Sequence, residues 1–244
     1  MASAQPVRVT PDSEHVTAWS LRLLDTPPVL PDDAVDLHSG QTLLVLVAHP
    51  DDETLAMGAT LADLSASGVR VHVVSLTSGE AALDHVGEHV PDLAARRRDE
   101  LDWAGAALGV TGCTALTLPD GHLADDSDAV LAAVRSEVAR HRPDRVATLW
   151  RQDPHPDHRA VSEAVHAVCA DGTVDEFLLW SLHWTDPAAV PERVAPVATG
   201  AAARTARRAA LKEYRSQTQP LLPRLAPVLP AAVVAWSHEC VVVP

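Results

Sequence analysis

Apolar and polar positions change period several times along the chain, and the changes mark out its elements. Residues 42–49, TLLVLVAH, are apolar almost throughout until the final histidine, the pattern of a strand buried on both faces. Residues 53–67 predict a helix that Gly68 closes. VRVHVVSLT (69–77) predicts a second strand, 91–108 a helix with Pro91 and Asp92 in its first turn, and TALTLP (114–119) a short third strand. A helix over 127–141, capped by Asp126 or Ser127, precedes a fourth strand, RVATLW (145–150). A helix over about 157–170 and a fifth strand, EFLLWSLH (176–183), follow. A basic helix covers about 201–215, and VVAWSHECVVV closes the chain. Residues 184–200 are Pro-rich and read as a loop, whereas 1–41 show no sustained period and read as an irregular lead-in to one domain over 42–244. Alternation of apolar strands with helices means βαβ units. The expected fold class is α/β: a single Rossmann-like domain, a mostly parallel sheet with helices on both faces, and an active site at the C-terminal ends of the strands.

Polar clusters test that last expectation. His49-Pro50-Asp51-Asp52 follows the first strand, Ser78-Gly79-Glu80 the second, Asp120-Gly121-His122 the third and Asp153–His158 the fourth, while His183 ends the fifth. All fall on one edge of the sheet, where chance would scatter them over both. The costliest is VAHPDDE (47–53), which places a histidine and three acidic residues directly behind a buried strand. His49 precedes a proline and is held extended. Asp51 and Asp52 share an irregular turn, can point different ways, and so can hold two roles. Histidine and carboxylate suit zinc, whose catalytic sites use three protein ligands and keep a position for water. HPDDE offers two such donors, and HPDH (155–158) offers His155 and His158 at i,i+3. The bland alternatives are a hydrogen-bonded His–Asp turn and a helix-capping loop, and two such clusters at matching strand ends argue against both.

Composition narrows the partners. A chain of 244 residues with 47% hydrophobic and 21% charged residues is an ordinary globular protein, and its formal charge of −14 argues against nucleic acid or an anionic membrane as partner. No apolar run approaches the roughly 18–20 residues of a membrane span. The opening MASAQPVRVTPDSEHV lacks the apolar core of a signal peptide, so cytoplasmic residence is expected. Cys113, Cys169 and Cys240 are odd in number and widely spaced, and read as reduced packing residues. No Gly-rich phosphate loop follows the first strand. Glu53 reads as a first-turn residue favoured by the helix dipole, and the helix of Arg204, Arg207, Arg208, Lys212 and Arg215 as a solvated face.

HPDDE after the first strand and HPDH about a hundred residues later resemble the LmbE-like, or PIG-L, family of zinc-dependent N-deacetylases. TSGE after the second strand, RRRDEL in the next helix and LPDG after the third are weaker matches, and together the similarity spans roughly residues 42–220. It implies His49, Asp52 and His158 as metal ligands, Asp51 as general base for the water that the metal activates, and His155 as the oxyanion stabiliser. It also implies Arg97 as a substrate-binding residue and Asp120 as a sugar-hydroxyl contact, with the choice among Arg96, Arg97 and Arg98 left open by the residues themselves. The implied cofactor is Zn2+, with Fe2+ among the divalent ions that suit the same donors. Some sugar-processing members carry a tyrosine just before HPDH. Here Asp153-Pro154 stands there and the sole tyrosine, Tyr214, lies in a late helix, which shifts weight onto His155. The expected function is removal of an N-acyl, chiefly N-acetyl, group from an amino sugar, glycoside or related small molecule. The rivals are an amidase cleaving a larger amide, of the thiol–sugar conjugate or lipoglycoside type, and a non-catalytic metal-binding domain. The latter ranks last because Asp51 and His155 are both present. Homo-oligomerisation is left open.

Overall fold

Seven strands and ten α-helices lie among residues 13–190 and 192–243, which the computed structural model describes. The strands are β1 (Thr42–Val47), β2 (Arg70–Ser75), β3 (Gly112–Ala115), β4 (Arg145–Leu149), β5 (Val174–Phe177), β6 (Arg193–Pro196) and β7 (Cys240–Val243). The helices are α1 (Ser13–Leu24), α2 (Pro31–Val35), α3 (Asp52–Ala66), α4 (Leu93–Leu108), α5 (Ser127–His141), α6 (Pro156–Val168), α7 (Ser181–Trp184), α8 (Ala201–Glu213), α9 (Arg215–Thr218) and α10 (Ala231–Ala235). One sheet runs in the order β3-β2-β1-β4-β5-β7-β6. Its first five strands are mutually parallel, and β7 is antiparallel to both β5 and β6. The order reverses between β1 and β4, the switch point of a doubly wound sheet, where ligands bind beyond the strand ends.

The expected α/β sheet is therefore present, and β1 shows why both its faces are covered. All six of its residues are buried. Leu43, Val45 and Val47 face one layer with Leu55, Leu61, Leu101 and Leu211 of α3, α4 and α8. Leu44 and Leu46 face the opposite layer with Val130, Val134, Val161 and Val165 of α5 and α6. Each such side chain contributes about 1.5–3 kcal/mol when fully buried, so neither face of β1 can be left to water.

Several expected elements change. The lead-in read as irregular contains α1 and α2, and Trp19 and Leu23 of α1 are buried with Trp150, Leu178, Leu182 and Trp236. Residues 1–12 of that lead-in lie outside the described residues. Helix α4 begins at Leu93, after Asp92 has taken a left-handed φ of 60°. Strand β3 sits at 112–115 rather than 114–119, and the Pro-rich loop of 184–200 contains the edge strand β6. The fifth strand ends at Phe177 instead of His183. Beyond it the Leu178 amide donates to Cys240 O and the Trp180 amide to the Asp153 carboxylate, and the chain turns into α7.

Candidate metal centre

Strand β1 delivers His49 to the sheet edge, Pro50 ends the ladder, and α3 begins at Asp52. Distant in sequence but adjacent in space, β4 leads to the loop carrying Asp153 and to α6, whose N-cap is His155. Each cluster sits on one side of the switch point, so the topology brings them together. His49 Nδ1, the Asp52 carboxylate and His158 Nε2 converge. The imidazole nitrogens are 3.3 Å apart, His158 Nε2 is 3.2 Å from Asp52 Oδ1, and His49 Nδ1 is 3.5 Å from Asp52 Oδ2. Zinc bound at about 2.0–2.1 Å by tetrahedral ligands needs donors about 3.3–3.4 Å apart. The donor set fits such an ion in chemistry and in spacing.

Surrounding groups hold these donors. Asp153 Oδ1 lies 3.1 Å from His158 Nδ1 and accepts the His155 amide at 3.0 Å, while Oδ2 accepts the Trp180 amide at 3.0 Å. With Nδ1 bonded to a carboxylate, His158 turns Nε2 toward the other donors, the arrangement that orients metal-binding histidines. His49 has the mirror arrangement. Its Nε2 lies 3.1 Å from Asp120 Oδ1 and 3.3 Å from Asp157 Oδ2. His49, His155 and Asp157 also bring ligand atoms within 4.8 Å of one another, but there the His49 Nε2 is already engaged by two carboxylates. Asp157 further accepts the amides of Gly121 and Leu123, tying the turn after β3 to HPDH.

The electrostatics are those of a cation's seat. Burial works against a charge on His158, yet Asp52 and Asp153 outweigh it and raise its pKa to about 9. His49 is likewise raised despite burial, through Asp120, Asp157 and Asp52. Asp52 is buried but held well below the usual carboxylate range by His158 and His49. Asp51 moves the opposite way: burial and the Asp52 charge push its carboxyl well up, against Arg97 and His49. Two adjacent aspartates thus stand in opposite environments, one as an anion among imidazoles and the other as a buried, more basic carboxylate. Asp51 also has φ 138° and ψ −28°, a backbone conformation costing about 1–3 kcal/mol in a non-glycine residue.

His155 stands as a neutral ring rather than a cation. Burial, then His158 and His49, pull its pKa down to about 2. Its Nδ1 accepts the Asp157 amide at 3.2 Å, so the neutral ring carries its proton on Nε2 and is a donor there. Arg97 is the inward member of its triplet. It is buried, Nη1 donates to Gly79 O at 2.6 Å, and Nε and Nη2 have no partner among the described residues. Gly79 has φ +66°, and a Cβ there would fall on Arg97 Nη1, which fits glycine at this point of TSGE. Asp120 has both oxygens engaged, one beside His49 Nε2 and one accepting the Ala81 amide at 2.8 Å. That places it behind His49, in contact with its Nε2.

Other residues are less legible in the sequence. Glu53 is buried, accepting the Tyr214 hydroxyl at 2.5 Å and the Asp51 amide at 3.2 Å. Arg207, expected on a solvated face, is buried and donates to Thr54 O and Leu55 O at 3.0 and 2.9 Å. His183 lies in α7 between the rings of Trp180 and Trp236, with burial lowering its pKa to about 4. It is not among the converging donors. All three cysteines are free. No helix among the described residues is long and apolar enough to cross a membrane.

Comparison with known proteins places this geometry in context. The family model "PIG-L: GlcNAc-PI de-N-acetylase" matches residues 44–169. Curated relatives include 1D-myo-inositol 2-acetamido-2-deoxy-alpha-D-glucopyranoside deacetylases. That of Rhodococcus opacus is 32% identical over 184 residues, covering 60% of this chain and 62% of that protein. That of Mycolicibacterium smegmatis is 33% identical over 186 residues, covering 61% and 60%. The chain thus spans less than two thirds of the length of these relatives. Among solved structures, the conserved protein TT1542 from Thermus thermophilus aligns with TM-score 0.60 at 26% identity, covering 84% of this chain and 94% of its own. The zinc inhibited form of teicoplanin deacetylase Orf2 aligns with TM-score 0.61 at 19% identity, over 73% of this chain and 85% of its own, and shares the fold.

Proposed function

The chain belongs to the PIG-L family, and on that premise we propose that it is a zinc-dependent hydrolase removing the N-acetyl group of an amino-sugar glycoside. The observation that carries the reading is the pairing of a three-donor cluster, His49, Asp52 and His158, with a buried carboxylate outside it, Asp51. The names of the Rhodococcus and Mycolicibacterium relatives support the substrate class. Zinc held by the three donors would bring the pKa of a water toward about 7 and polarise the acetamide carbonyl. Asp51 is the group that takes the proton of the attacking water and returns it to the departing nitrogen as the amide C–N bond breaks, leaving acetate and a free amine. His155 donates its Nε2 proton in a hydrogen bond to the developing oxyanion, as a neutral ring rather than a cation. Arg97 is the residue assigned to substrate binding, and Asp120, with Asp157, keeps His49 oriented. The partner is a small N-acylated molecule.

The test is a panel of N-acetylglucosamine glycosides, inositol α-glycosides included, assayed for primary-amine release by zinc-loaded protein. The expected result is release from at least one. Asp51→Asn should keep the metal and lower kcat by about 10²–10⁴. A metal-loaded protein inert on the whole panel overturns the substrate class. Loss of metal in Asp51→Asn with retention in Asp52→Ala exchanges the two aspartates' roles.

A further inference from the structure

The Pro50–Asp51 peptide sits where the candidate base enters its strained conformation, and both polar ends of that one peptide unit are gripped. Its carbonyl, Pro50 O, accepts a hydrogen bond from Gln217 Nε2. Its amide, Asp51 N–H, donates to Glu53 Oε2 at 3.2 Å, while Glu53 Oε1 accepts from the Tyr214 hydroxyl at 2.5 Å and from Thr54 Oγ1. In a trans peptide the carbonyl and the amide point to opposite sides, so the plane is held from both. Tyr214 and Gln217 lie three residues apart at the junction of α8 and α9, and both are buried.

That junction is itself anchored. The Ser216 amide and hydroxyl donate to the Glu100 carboxylate of α4 at 2.8 and 2.6 Å. Arg207 of α8 donates to the carbonyls of Thr54 and Leu55 in the first turn of α3. The strut therefore spans from α4 to the turn holding Asp51. Its α8–α9 members, Arg207, Tyr214, Ser216 and Gln217, lie outside residues 44–169, the segment that matches the family model. Residues held in sparsely populated backbone conformations persist only where the surroundings over-determine them. Here that over-determination has identifiable donors.

We infer that Tyr214 and Gln217 are positioning residues that lock the Pro50–Asp51 peptide plane and thereby aim the Asp51 carboxylate. The inference rests on the proposed role of Asp51 as base, and Tyr214 acts through Glu53 rather than by touching substrate. Without its hydroxyl, Glu53 loses a donor and the Asp51 amide loses a fixed acceptor. Without the Gln217 amide, the Pro50 carbonyl is left without its donor.

The experiment uses Tyr214→Phe and Gln217→Leu in the full chain, with and without Asp51→Asn. In each single variant zinc content and KM should hold while kcat falls roughly 10–10²-fold, the scale of a misplaced catalytic group. In the Asp51→Asn background neither change should lower kcat further, because groups that act through one residue are non-additive. Amide hydrogen exchange over residues 50–55 should accelerate about tenfold or more in each single variant, while exchange over β4 stays unchanged. An equal fall in kcat in both backgrounds would show a merely structural role and overturn the inference, as would unchanged exchange and unchanged kcat. Exchange is read without substrate. A wild-type chain that releases no amine therefore sinks the proposed function alone, and the exchange result still decides whether the peptide is clamped.

Discussion

Replacing Asp153 by Asn tests whether the centre depends on the carboxylate behind His158. Asp153 is fully buried, with one oxygen serving His158 Nδ1 and the His155 amide and the other the Trp180 amide. Asparagine keeps the shape but supplies one acceptor atom and one donor. If its oxygen faces His158 and His155, its NH2 meets the Trp180 N–H, orphaning a buried donor at a cost of about 1–3 kcal/mol. In the flipped orientation two N–H groups lose their acceptor, so the first orientation should prevail. His158 then keeps a hydrogen bond but loses the anionic partner that would make it a strong metal ligand. Losses of this kind lower metal affinity about 10–100-fold, or about 1.4–2.7 kcal/mol. Zinc affinity is measured by competition with a chromophoric chelator, with thermal unfolding of the metal-free variant recorded alongside. Asp175→Asn is the control. It breaks the buried pair with Arg145 and should lower stability without changing zinc affinity, since neither residue is among the converging donors. Zinc affinity in Asp153→Asn within about threefold of wild type, in a folded protein, would refute the idea that this carboxylate tunes the centre.

Two further outcomes follow from the same geometry. His155→Ala should retain zinc and lose about 10²–10³ in kcat with KM little changed, the usual cost of removing one oxyanion donor. Normal turnover would remove that role. Away from the centre, burial raises the Glu176 carboxyl, but hydrogen bonds from His166 and Arg151 outweigh it and bring the pKa below its ordinary 4.5. A depressed folded-state pKa contributes stability above the unfolded value that is lost as pH falls through the folded one. The difference in melting temperature between wild type and Glu176→Gln should therefore be full at neutral pH and shrink below pH 4.5. A difference that is constant across that range would refute the assignment.

What the sequence makes legible, and what it hides, divides along physical lines. HPDDE and HPDH are readable because burial of β1 and β4 makes charge at their ends costly, and cost of that kind demands an explanation at the level of residue type alone. The run EFLLWSLH misleads because an uninterrupted apolar stretch looks the same whether it continues as strand or turns into helix. The deciding contacts, Cys240 O and Asp153, lie far off in sequence. The edge strand β6 is hidden by its prolines, although an edge is where a sheet tolerates them. Helix α1 escapes notice even though Val16, Trp19 and Leu23 keep helical spacing, because flanking Pro and Asp dilute the signal.

The buried charges are the more instructive failure. Composition says that α8 is basic and therefore solvated and leaves three adjacent arginines of α4 undistinguished, but phase says more. On α4 the buried positions Leu93, Arg97, Glu100, Leu101, Ala104 and Leu108 follow one helical stripe, and Arg97 and Glu100 sit inside it. On α8 the stripe Ala203, Arg207, Ala210 and Leu211 runs on to Tyr214. A charged residue in phase with an apolar stripe must find partners inside the protein or leave the fold short of stability. That criterion picks Arg97 from three adjacent arginines and Arg207 from five basic neighbours with no alignment at all. Arg97 finds Gly79 O beyond β2, Arg207 finds the first-turn carbonyls of α3 next to HPDDE together with the Glu239 carboxylate, and Glu100 finds the Ser216 amide and hydroxyl, tying α4 to the α8–α9 junction.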